Sequence, residues 1–172
     1  MNFNLFTMIF LVATGCYLAT LLYLNLRQNR AVKKSFDSVP QDFINNISIE
    51  EHQKAANYTQ AKIKIGNIEM IFSSAILLLW TIGGGIDYLD QVWQSQTDNN
   101  LSLGVGVLIS IMIIGSIIDL PFSIYRTFVL EQNFGFNKTN IKTFISDIIK
   151  ALLITLAIGL PMIYLILYLM SI

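Results

Sequence analysis

Four long apolar stretches, residues 3–26, 65–86, 101–120 and 148–172, take up most of this 172-residue chain. A bilayer core about 30 Å thick is crossed by around 20 apolar residues in helical form, and each stretch meets that length. In a water-soluble domain the same residues would recur at a helical or strand period, giving one buried and one wet face. Here they come in blocks, so lipid is the expected solvent. Charged residues make up 13% of the chain, about half the share of an ordinary soluble domain. The sequence therefore predicts an all-α, polytopic integral membrane protein with four transmembrane helices.

The positive charge gives that topology a direction. All 11 lysines and arginines lie in two stretches. Arg27, Arg30, Lys33, Lys34, Lys54, Lys62 and Lys64 occupy the first, and Arg126, Lys138, Lys142 and Lys150 the second. The connection between the middle two apolar stretches carries only Asp87, Asp90 and Asp98. Lysine and arginine favour the cytoplasmic side of short loops, so both basic stretches are expected inside and both termini outside. In a bacterium this would be the inner membrane. The first stretch is not read as a cleaved leader, because Met1 to Asn4 carry no basic residue and the apolar run is too long.

The zero formal net charge gives no reason to expect a nucleic-acid partner. The single cysteine, Cys16, lies within an apolar stretch, allows no internal disulfide, and reads as a small hydrophobe.

Local signals organise the loops. Pro40 divides the first basic loop. Ser48-Ile49-Glu50-Glu51 has the form of a capping box, in which hydroxyl and carboxylate satisfy each other's backbone amides. Helix from Ile49 then runs unbroken to Gly83-Gly84-Gly85, roughly 50 Å at about 1.5 Å per residue. That exceeds the membrane, so its first half should project into the cytoplasm. Pro121 is expected to break or kink the third helix, and the aromatic, charged run 122–140 to pack at the interface or against another part of the protein. Thr139 or Asn140 should cap the fourth helix, and Pro161 should kink it. The expected helices are thus about 3–26, 49–86, 101–120 and 145–172. Gly106 and Ser110, like Gly15 and Ala19, have the four-residue spacing that lets helices approach closely.

Catalytic chemistry is thinly represented. His52 is the only histidine, so no H-E-x-x-H zinc motif is present, and its place beside Glu50 and Glu51 suits a solvated helix surface. Two carboxylates at the membrane boundary, Glu69 and Asp119, are candidates because intramembrane charge is costly. Each suits either an ion pair or the lining of a polar cavity.

The run Leu120-Pro121-Phe122-Ser123-Ile124-Tyr125-Arg126-Thr127-Phe128-Val129-Leu130-Glu131-Gln132-Asn133-Phe134-Gly135-Phe136-Asn137-Lys138-Thr139 narrows the field. It closely resembles the segment between the third and fourth helices of the CAAX prenyl protease type-1 family, which are polytopic zinc metalloendopeptidases. A second block, Val39-Pro40 with Ser48-Ile49-Glu50-Glu51-His52-Gln53-Lys54-Ala55-Ala56-Asn57-Tyr58, matches in the family's order and spacing.

The resemblance runs over nearly the whole chain. It implies an amino-terminal transmembrane domain across 1–172, without the catalytic region. Zinc belongs to the full-length family member, and no cofactor is expected in this chain. The implied substrates are prenylated or otherwise membrane-associated polypeptides, held in an intramembrane chamber. Arg126, Glu131, Phe134, Gly135, Phe136 and Asn137 would be scaffold of the family loop, and no catalytic position carries over. Alone, the chain would then be an inactive portion of the enzyme's chamber wall. Two other readings stay open: a free-standing, non-catalytic assembly or regulatory membrane protein, and a small proton-coupled transporter built around Glu69.

Overall fold

The computed structural model describes residues 4–171, and among these every regular element is helical. The outermost expected helical residues, Phe3 and Ile172, lie outside that range. The described residues form seven α-helices: α1 (Leu5–Lys34), α2 (Ile49–Thr81), α3 (Gly85–Gln94), α4 (Asn100–Tyr125), α5 (Gln132–Phe134), α6 (Ile141–Ile154) and α7 (Leu160–Met170). A short 3-10 turn covers Gln41–Phe43. Four helical stretches, Leu5–Lys34, Ile49–Thr81, Asn100–Phe134 and Ile141–Met170, are long and apolar enough to cross a membrane. The expected fold class is the observed one, a multi-pass helical membrane protein.

Burial identifies the solvent. Among the described residues the buried apolar side chains are few: Ala56 in the first part of the chain, and Leu89, Val107 and Leu130 in the second, while Phe6, Ile117 and Met170 remain 62–78% exposed. Apolar side chains left outside to that extent suit contact with acyl chains, where their exposure has no hydrophobic cost.

The chain divides into two compact units, residues 1–77 and 78–172. In the first, α1 begins at Asn4, whose side-chain oxygen accepts from the Thr7 amide at 2.8 Å. It runs past the expected limit at residue 26 to Lys34, because the polar residues after Leu26 contain no helix breaker. Lys33 and Lys34 in its last turn complement the helix dipole.

The capping box at the head of α2 is formed as expected. Ser48 N–H donates to Glu51 Oε2 at 3.0 Å, and Glu51 N–H donates to Ser48 Oγ at 3.2 Å. The Ser48 amide, and then its hydroxyl, hold the Glu51 carboxyl below its ordinary value.

The second unit departs from expectation in two places. The stretch after the glycines is not loop but the helix α3. Gly84 turns into it with φ of 80°, a left-handed conformation that glycine adopts without strain. Leu89 of α3 is buried, and Trp93 one turn further on donates from Nε1 to Ser110 Oγ of α4 at 3.0 Å. The Gly106/Ser110 pair therefore receives an indole, whereas nothing lies within 4 Å of a β-carbon placed at Gly15.

Pro121 does not end the third span. It sits inside α4, and helical backbone continues through a π segment, Arg126–Glu131, and α5 to Phe134. Proline removes a single donor, and apolar flanks leave the chain no better alternative than helix in lipid. A second π segment, Thr155–Gly159, comes just before Pro161 in the fourth span. The local widening accommodates the missing proline amide. Asn140 caps α6, its Oδ1 accepting from the Thr143 amide at 2.8 Å.

Candidate functional site

The two candidate carboxylates, Glu69 and Asp119, differ in exposure. Glu69 is half-buried on α2, four residues into the apolar run that begins at Ile65. Asp119 is exposed on α4, two residues before Pro121. They belong to different units, Glu69 to the first and Asp119 to the second.

Of the six loop residues singled out in the sequence, Glu131, Phe134, Gly135, Phe136 and Asn137 fall in one turn, and Arg126 lies further up the preceding helical segment. Arg126 is exposed at the start of the π segment. Glu131 closes that segment, and its carbonyl accepts from the amides of Phe136 at 2.9 Å and Asn137 at 3.2 Å. Gly135 makes this possible with φ of 74°, while its own amide reaches the Gln132 carbonyl at 3.1 Å. The two bonds together are a Schellman stop, which uses up carbonyls that a helix end otherwise leaves open.

Asn137 then fastens both sides of the turn. Its Nδ2 donates to Gln132 Oε1 at 2.8 Å, and its Oδ1 accepts from the Thr139 amide at 2.7 Å. Phe128 and Phe144 pack edge to face across the turn, with centroids 5.2 Å apart. Half-buried Phe134 and exposed Phe136 flank the glycine. The arrangement connects two helical stretches long enough to cross a membrane through a hydrogen-bonded turn.

Several residues overlooked in the sequence connect the first two helices. Asn25 Nδ2 donates to Asn67 Oδ1 at 2.6 Å, joining α1 to α2. The signal was the presence of two amides near the ends of apolar stretches, where a polar side chain costs energy unless partnered. His52, read from the sequence as a solvated or interfacial residue, donates from Nε2 to the carbonyl of Ser35 at 2.6 Å. It thereby ties the first turn of α2 to the residue that terminates α1.

The zinc that the family resemblance implies has no matching donor set here. Among the described residues no group of three or more His, Cys, Asp or Glu could hold a metal ion. His52 is already engaged by a backbone carbonyl, and Cys16 is exposed within the apolar stretch of α1.

A polytopic helical membrane domain, with no metal-ligating set among the described residues and an aromatic, hydrogen-bonded turn between its last two spans, is the class this architecture defines. The family profile described as the CAAX prenyl protease amino-terminal region, with five membrane helices, matches residues 28–172, and the chain belongs to that family. A CAAX prenyl protease 1 homolog from Oryza sativa subsp. japonica is 32% identical over 151 residues, covering 82% of this chain and 34% of that protein. CAAX prenyl protease 1 of Saccharomyces cerevisiae is 29% identical, covering 83% of this chain and 33% of its own length. The crystal structure of S. mikatae Ste24p superposes with a TM-score of 0.82 at 27% identity, covering 96% of this chain and 39% of that one. The chain thus spans about a third of the length of the curated relatives it matches.

Proposed function

We propose that this chain is the amino-terminal membrane scaffold of a CAAX-type zinc metalloendopeptidase. It supplies part of the wall of an intramembrane chamber in which prenylated or other membrane-associated polypeptides are cut. The observation that carries this reading is the fold likeness to Ste24p, which extends over 96% of this chain and only 39% of that one. The domain in this reading is residues 1–172, and a carboxyl-terminal catalytic region brings the zinc, its ligands and the activated water. The turn from Arg126 through Glu131, Phe134, Gly135 and Phe136 to Asn137 holds the third and fourth spans in register beneath the chamber. Glu69 and Asp119 mark the membrane boundary. The amino terminus lies outside, and both basic stretches lie in the cytoplasm. Without a ligand set, the chain alone cleaves nothing.

Intact mass spectrometry of the native protein from membranes tests the reading. A species well above 19.4 kDa that yields these peptides and an H-E-x-x-H peptide supports it. A 19.4 kDa species with no separately encoded catalytic partner at its side sinks it and leaves a free-standing assembly or regulatory protein. Elemental analysis of the purified 172-residue chain should find no stoichiometric zinc.

A further inference from the structure

Asn25, Asn29 and Lys33 recur at four-residue spacing on α1 and so stack along one side of that helix. Asn29 and Lys33, with Gln60, Ala61, Ile63, Lys64 and Asn67 of α2, wall a cleft of about 360 Å³. The Asn25–Asn67 amide bond, at 2.6 Å, marks its apolar end and satisfies both of those groups with respect to each other.

Asn29 differs from them. Its Oδ1 is buried and accepts no hydrogen bond, the only such side-chain atom among the described residues. A buried acceptor left without a donor is costly, and it points to a donor that the protein itself does not provide. Lys33 and Lys64 are exposed at the same cleft, and neither has a carboxylate partner among the described residues.

The level of the cleft is set by the apolar runs. Leu26 ends the first, and Asn29 and Lys33 follow it by roughly 4.5 and 10 Å along the axis. On α2, Lys64 immediately precedes Ile65, where the second run begins, and Gln60 lies one turn further out. The headgroup layer occupies roughly 5–7 Å on each side of the hydrocarbon core, so the cleft opens at that depth. Two ammoniums repel a metal cation and attract a phosphate. A bare phosphodiester would leave Asn29 Oδ1 still unmatched.

We propose that the Asn29–Lys33–Lys64 cleft binds a phospholipid headgroup in which a phosphodiester is joined to a hydrogen-bond donor, ethanolamine ammonium or glycerol hydroxyl. Lys33 and Lys64 hold the phosphate, and Asn29 Oδ1 accepts from the donor. Phosphatidylcholine has the same phosphate and no N–H or O–H to offer, so it is discriminated against.

Native mass spectrometry of the chain in detergent, with phosphatidylethanolamine, phosphatidylglycerol and phosphatidylcholine of matched acyl chains, tests this. The first two should remain bound in preference to the third. Lys33→Gln with Lys64→Gln should weaken their binding roughly thirtyfold. The charge-matched pair Lys138→Gln with Lys142→Gln should leave it unchanged. Asn29→Leu should abolish the preference over phosphatidylcholine while the lysines still hold phosphate. The lysine pair is exposed on helix surface and leaves the fold intact, so it decides the matter should Asn29→Leu fail to fold. Equal binding of all three lipids, or equal loss in both lysine pairs, overturns the proposal. Displacement of the lipid by inorganic phosphate at equal concentration overturns it in favour of a soluble phosphate ligand.

Discussion

The indole ring of Trp93 rests directly on Gly106. A β-carbon at that glycine would stand well inside van der Waals contact with Cδ2, Cε2 and Cε3 of the ring, while Nε1 donates to Ser110 Oγ at 3.0 Å. The Ser110 hydroxyl donates in turn to the Gly106 carbonyl at 2.8 Å, so ring, hydroxyl and backbone close into one linked contact between α3 and α4.

Gly106→Ala should therefore unseat Trp93. Overpacking of this kind costs about 1–3 kcal/mol. In a Trp80→Phe background the remaining indole should shift its emission to the red and the unfolding midpoint in detergent should fall. Ser110→Ala should keep the ring in place and cost less, about 0.6 kcal/mol for one interhelical bond in a membrane. An unchanged emission maximum in Gly106→Ala would count against the contact.

The Asn25–Asn67 bond lends itself to a double-mutant cycle. Either Asn→Leu change alone strands the other amide between α1 and α2. The double change should be less destabilising than the sum of the two, with a coupling of about 0.6 and at most roughly 1.7 kcal/mol. Additive losses in thermal unfolding would mean that the two amides do not interact.

Gly135→Ala should destabilise the turn by about 1–2 kcal/mol, because the native φ of 74° is strained for any residue carrying a β-carbon. Loss of amide protection at Phe136 and Asn137 in hydrogen exchange would accompany it, since both donate to the Glu131 carbonyl.

The capping box at α2 should respond to acid. Glu51 is held below its ordinary value of 4.5 by the Ser48 amide and hydroxyl, so the folded state favours its charged form. Its contribution is complete above that ordinary value and is lost as pH falls through the lowered one. The Ser48 amide resonance should follow that titration, and Glu51→Gln should abolish the pH dependence while keeping much of the cap.

The sidedness can be read with cysteines in a Cys16→Ser background. Asn46→Cys should react with an impermeant maleimide only after the membrane is opened, and Asp98→Cys should react in intact cells. The reverse pattern would invert the proposed topology.

The membrane spans were legible because twenty apolar residues in a row carry a signal that no local detail can mask. The Ser48–Glu51 box and the Asn140 cap were legible for the opposite reason, since each is settled within four residues. Helix α3 was overlooked because Ile86, Leu89 and Trp93 give barely two turns of amphipathic spacing beside a glycine triplet, and its stability comes from Gly106 and Ser110 on another helix. The continuation beyond Pro121 was misjudged from a rule learned in water, where a released carbonyl has solvent to turn to. Asn29 and the His52–Ser35 link left no trace in composition or period, because both depend on where α1 and α2 lie side by side. The family loop was recognisable from its residues, while its Schellman geometry required knowing that Gly135 takes a positive φ.

A π turn holds more residues than the α-helix on either side of it. The stretch Thr155–Gly159 therefore turns everything after it by roughly 100° relative to an uninterrupted helix. Leu167, whose Cδ1 would stand 3.1 Å from a β-carbon at Gly104, faces α4 by virtue of that offset. Deleting one residue between Thr155 and Gly159 would give a straighter and more regular helix that presents the wrong side to its neighbour. The aim of the last span is thus stored as a surplus residue rather than as any particular side chain.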